Sequence, residues 1–157
     1  LVRLLGENGR VTGAELTDGF VLPVDVVIAG IGVTANDRLA RDAGLEVAHT
    51  TSAEGGPMLE SSIDGVNFIV YFYECMPSCS ALQFSAGFDL DEAMPMEMAN
   101  LWNRDRRFGK VYLDRTGDPF IDMDIGLAGE GIGRENFKDA LETWRVVLSE
   151  FRSYINW

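Results

Sequence analysis

Residues 66–74, VNFIVYFYE, and residues 80–88, SALQFSAGF, are the two segments whose reading decides the fold. Both are rich in aromatic and β-branched side chains, which suit a pleated, half-buried surface. The short CMPSC link between them predicts that they pair antiparallel. In the first segment Phe68, Val70 and Phe72 alternate with Ile69, Tyr71 and Tyr73, so both faces of the strand are apolar. Helices are expected to cover one face, and a second layer or a partner the other.

Working outward, residues 45–50 (LEVAHT) and 57–62 (PMLESS) predict two earlier strands, with the glycines near 55 as a turn. Downstream, KVYLD and PFIDMDI flank the turn RTGD. A helix is expected near 93–107, with Pro95 in its first turn and Gly109 just beyond its end. Met94, Met98, Leu101 and Trp102 give that helix an apolar side. A closing helix over 134–154 follows from Phe137, Ala140, Leu141, Trp144, Val147, Leu148 and Phe151 at helical spacing. A short leading helix, NDRLARDAG, is capped by Asn36 or Asp37 and stopped by Gly44. The fold class is therefore α+β: an antiparallel meander of about five or six strands, led by one helix and packed with two more.

Residues 1–34 have a different texture. Short strands VRLL, VTGAEL and TDGFVL alternate with turns, and Asp18-Gly19 suits a tight hairpin. The run DVVIAGIGV, with Val26, Val27, Ile28 and Ile31, predicts a strand buried on both faces. The division expected is an extension over 1–35 and a domain over 36–157.

Composition narrows the function. Lys plus Arg number 13 against 25 Asp plus Glu, and a net charge of −12 repels phosphate backbones, so nucleic acid is not an expected partner. The hydrophobic fraction of 46% supports a real core. The sequence contains neither an apolar run of about 18 to 20 residues nor a leader pattern. The expectation is a cytoplasmic protein without a membrane partner.

Candidate chemistry is sparse. Cys75 and Cys79 are expected as reduced thiols near a turn, ahead of a hairpin disulfide or a zinc site. His49 is the single imidazole, which leaves little for a hydrolytic triad. Asp122 and Asp124 fit outward-facing carboxylates on a strand better than a calcium loop, since IGLAGEGIG lacks the later acidic ligands. The GEGIG stretch reads as a flexible turn into the last helix, because no Lys-Ser/Thr pair follows it. No catalytic, metal or cofactor-binding residue is expected. Arg104, Arg106, Arg107 and Lys110 complement a helix C-terminus. The residues expected to contact a partner are Met96, Trp102, Arg106, Arg107 and Trp157.

Several phrases occur together and in order over residues 51–157: DGVNFIVYFYEC, SALQFSAGFD, LWNRDRRFGKVYLD, GDPFIDMDIGL and RENFKDALETW. This run resembles the YbjN family of bacterial sensory transduction regulators, whose fold is similar to that of type III secretion chaperones. The resemblance implies a non-enzymatic regulatory or chaperone-like module that binds another polypeptide, as a homodimer that supplies or covers the apolar sheet face. It supplies no active-site residues. Residues 16–47, LTDGFVLPVDVVIAGIGVTANDRLARDAGLEV, look instead like flavoprotein reductases of the ferredoxin reductase type. That likeness implies the alternative of a fragment of an FAD- and nicotinamide-dependent oxidoreductase. However, Gly30 and Gly32 alone do not make the glycine turn that holds a pyrophosphate. The two patterns meet near 37–50, as a gene fusion, a truncated reading frame or an artefact of sequence assembly would produce.

Overall fold

The computed structural model describes residues 2–8, 10–24, 37–42, 44–53, 55–76, 78–127 and 131–157. The buried strand expected within 25–33, the Asn36 cap, Gly30 and Gly32, and the first part of GEGIG lie outside the described residues. The chain divides into two compact units, residues 1–32 and 33–157.

In the first unit, β1 (Arg3–Glu7), β2 (Arg10–Glu15) and β3 (Val21–Pro23) form an antiparallel sheet in that order. The Asp18-Gly19 turn forms as its chemistry predicts. Gly19 adopts φ 82°, the region open to glycine, and the Phe20 amide donates to Asp18 Oδ1 at 3.0 Å.

The second unit opens with α1 (Arg38–Asp42) and continues through β4 (Val47–Thr51), β5 (Pro57–Ile63), β6 (Val66–Tyr73) and β7 (Ala81–Gly87). It closes with α2 (Met96–Asp105), β8 (Lys110–Leu113), β9 (Pro119–Gly126) and α3 (Arg134–Ile155). All strand pairs are antiparallel, in the order β4-β5-β6-β7-β9-β8. The meander runs from β4 to β7, and β9 then inserts beside β7 and leaves β8 at the edge.

The helix-facing side of the sheet holds the core. Phe68 and Val70 of β6, Leu82 and Phe84 of β7, and Ile121 and Met123 of β9 are buried with Leu141, Trp144, Leu148 and Phe151 of α3. Trp144 stacks on Phe84 with centroids 5.6 Å apart and meets Phe68 edge-on at 6.0 Å. Burying a side chain of this size contributes about 1.5 to 3 kcal/mol, which explains why the apolar stripe of α3 was so legible.

Pro95 stands at the N-cap of α2 rather than inside its first turn. The helix is fastened to edge strand β8 by Asn103. Its side-chain amide donates to Val111 O at 2.9 Å and accepts from Val111 N at 2.8 Å, as a neighbouring strand would. Just before β8, Gly109 (φ +70°) passes so close to the core that a Cβ there would lie 2.5 Å from Val147 and 2.9 Å from Ile121.

Candidate functional site

Register places a second set of side chains on the opposite face of the six-stranded sheet. They are Met58 and Glu60 from β5, Ile69, Tyr71 and Tyr73 from β6, Gln83 and Ser85 from β7, Phe120, Asp122 and Asp124 from β9, and Tyr112 from β8. Among the described residues no helix packs on this face. Tyr73, at the end of β6, and Tyr112, on edge strand β8, remain 44% and 50% exposed. A shallow depression of about 950 Å³ runs over Ile69, Tyr71, Ser85, Gly87 and Phe120 toward β4.

The face is organised. Tyr73 Oη donates to Gln83 Oε1 at 3.1 Å, and Gln83 Nε2 donates to Asp124 Oδ1 at 2.8 Å, a ladder across three strands. Tyr112 stacks on Phe120 with centroids 5.5 Å apart, and the Phe120 ring covers Gly87, where a Cβ would come within 2.7 Å of it. Asp122 sits between these groups, and its Oδ1 is buried without a hydrogen-bond partner.

Burial pushes the Asp122 carboxyl above its ordinary value; the Ser85 hydroxyl opposes the rise and the Asp124 charge adds to it. Burial, followed by the charges of Asp122 and Asp124, raises the Tyr73 phenol. Tyr112 is raised by burial and then by Asp122. The face is therefore aromatic and electronegative. Lys110, the cross-strand partner of Asp122, turns its ammonium to the Asn103 and Arg106 carbonyls at 3.2 and 3.0 Å.

The residues expected to contact a partner lie elsewhere, on the helical side. Trp102 is a correction: it is 2% exposed, and its Nε1 donates to Gly109 O at 2.8 Å. Because it supplies the buried side of α2, it offers no surface. Met96 is 68% exposed, while Met94 is buried and Met98 is half-buried. Arg106 pairs with Glu150 at 3.2 Å and lies over the Trp102 ring. Arg107 lies over Phe108. Arg106 and Arg107 come together at a shallow groove with Phe108, Asp139, Glu142 and Val146. Trp157 is not part of that groove. It is 48% exposed, packs edge-on against Phe88 at 5.2 Å, and has the Arg152 guanidinium 5.3 Å above it.

The expected pair of reduced thiols is instead a disulfide, Cys75–Cys79. Glu74 turns the chain with φ 52°, and Ser80 N bonds back to Tyr73 O at 3.0 Å, so the hairpin tip folds one cysteine onto the other. His49 Nε2 lies 2.7 Å from Asp37 Oδ2, which also accepts from Arg41 Nε at 2.7 Å. These contacts fasten α1 to β4. Among the described residues no group of three or more His, Cys, Asp or Glu side chains is placed to hold a metal ion. No helix among them is long and apolar enough to cross a membrane.

An antiparallel sheet with helices on one face and an open aromatic face defines an α+β domain. The sequence model of the YbjN family, described as "Putative bacterial sensory transduction regulator", matches residues 37–157. The chain belongs to this family. The match begins at residue 37, and the reductase-like phrase of residues 16–47 finds no support in it. No solved structure matches the chain.

Proposed function

We propose that the domain is a non-catalytic regulatory module that binds another polypeptide on its open sheet face. One observation carries this reading: a six-stranded sheet leaves Ile69, Tyr71, Tyr73, Tyr112 and Phe120 on a side that no described helix covers. Apolar and aromatic patches of that kind mark contact surfaces, and tyrosine is favoured in them because it brings large area at low entropy cost. The order of elements, a helix before a β meander with later helices against the sheet, supports a chaperone-like mode of action.

Self-association fits the helical side better. Around Phe108 and Val146, Arg106 and Arg107 stand beside Asp139, Glu142 and Glu150. A surface holding both signs can meet its own copy about a two-fold axis, which requires self-complementarity. The acidic sheet face cannot do so without repulsion. The homodimer proposed here therefore leaves the sheet face free for a different chain.

Peptides selected from a random display library against the domain test the binding reading. Binding that is abolished by Tyr71→Glu, with the fold intact by circular dichroism, is the expected result. Selected peptides that bind Tyr71→Glu as well as the parent would overturn it.

A further inference from the structure

The charges on the open face go beyond what general stickiness requires. Glu60, Asp122 and Asp124 project from it by register, and Glu46 lines the depression at the β4 end. The basic groups nearest to them are already engaged. Lys110 caps the end of α2 through the Asn103 and Arg106 carbonyls. Arg41 donates to Asp37 and, at 3.1 Å, to Val47 O. Asp124 is fixed by Gln83, whereas Asp122 keeps an oxygen that is both buried and unpartnered.

The same carboxylates stand among π-faces. Tyr71 and Gln83 are cross-strand neighbours on β6 and β7, and Gln83 faces Asp124 on β9. Ser85 faces Asp122 on β9, and the stacked Tyr112 and Phe120 close that end of the face. A cation approaching Asp122 therefore meets a carboxylate and an aromatic ring together, a pairing that favours Arg or Lys over a neutral side chain. Successive side chains on one face of an extended peptide repeat at about 6.6 Å, so alternate residues of a strand laid on the sheet can use these groups in turn.

We propose, resting on the reading that this face binds a polypeptide, that its occupant is an extended segment carrying lysine or arginine at alternate positions, with one cation seated at Asp122. A second copy of this chain is disfavoured there because it would set Asp122 and Asp124 against carboxylates of the same sign. An anionic partner is disfavoured for the same reason.

The test uses the full chain and three peptides of about eight residues. They alternate threonine with lysine, with glutamine or with glutamate, and binding is followed by fluorescence anisotropy. The lysine peptide is expected to bind at least about tenfold tighter than the glutamine peptide and to weaken as ionic strength rises from about 0.01 to 0.15 M. The glutamate peptide is expected not to bind. Asp122→Asn is expected to remove about tenfold of the lysine peptide's affinity, while the glutamine peptide is unaffected. Tyr71→Glu, which removes a ring from the surface while adding to its negative charge, is expected to weaken both.

Equal binding of lysine and glutamine peptides, still lost in Tyr71→Glu, would overturn the cationic occupant and leave polypeptide binding on the face standing. Binding insensitive to Tyr71→Glu would overturn both. A change of oligomeric state in Asp122→Asn would give the face to a second copy and overturn the proposal.

Discussion

Two tryptophans of similar burial separate packing from hydrogen bonding. Trp102 satisfies its indole nitrogen on Gly109 O, whereas the Trp144 indole nitrogen is buried without a partner. Substituting either by phenylalanine removes similar volume, but Trp102→Phe also strands a buried carbonyl. Trp102→Phe is expected to cost about 1 to 3 kcal/mol more than Trp144→Phe, by urea denaturation of both variants. Asp122 makes the opposite case, a group held against its own stability. Its folded pKa lies above 3.8, so its ionised form is penalised and stability is gained as pH falls through that raised value, levelling off below 3.8. Asp122→Asn lacks that penalty. It is expected to melt higher than the parent near neutral pH, with the gap closing as the solution is acidified. Asp37 is lowered chiefly by the Arg41 hydrogen bond, so its contribution is lost as pH falls below 3.8, but equally in parent and variant. A melting temperature unchanged at neutral pH would mean that the Asp122 carboxyl is solvated.

At the scale of elements, the local patterns that build strands and helices were legible because each was strong on its own. The alternation in β6 predicted two apolar faces, and both exist: Phe68 and Val70 are in the core, and Ile69, Tyr71 and Tyr73 are on the open side. The position of β9 between β7 and β8 was not legible, since nothing in KVYLD or PFIDMDI states which partner lies beyond the hairpin. Attention to the helices for contact residues missed Tyr112 and Phe120, because they join Tyr71 and Tyr73 only through that insertion, and also Gln83, which the expected pairing of residues 66–74 with 80–88 sets beside Tyr71. The signal available was the alternation YLD and FIDMD, which put carboxylates and rings on one side of each strand. Helical spacing set Trp102 on the apolar side of α2, and its burial there, with the indole nitrogen on Gly109 O, is what removes it from the contact residues. The join of α2 to β8 offers its own test. Asn103→Ala removes both side-chain bonds to Val111 and is expected to cost about 1 to 2 kcal/mol, with faster amide exchange concentrated in β8. Uniformly faster exchange throughout the domain would show that Asn103 is not a local clamp.

For the whole molecule, an acidic chain with a net charge of −12 presents two unlike surfaces on the YbjN-like unit. The groove around Phe108 and Val146 holds both signs and is proposed to join two copies; the sheet face holds rings and carboxylates and is proposed to take a foreign chain. Light scattering on the eluting peak is expected to report a dimer that Val146→Glu converts to a monomer without unfolding. A parent monomer would remove that half of the account.

The four tyrosines allow the most direct test of the central claim, because Tyr71, Tyr73 and Tyr112 lie on the open face while Tyr154 bonds Met98 O on the helical side. Fluorotyrosine incorporated at all four gives one fluorine resonance each, with Tyr154 as internal control. On titration with a bound polypeptide, the account predicts that the Tyr71, Tyr73 and Tyr112 resonances shift together to saturation while Tyr154 stays in place. Movement of Tyr154 alone, with the three sheet-face signals unchanged, would contradict it.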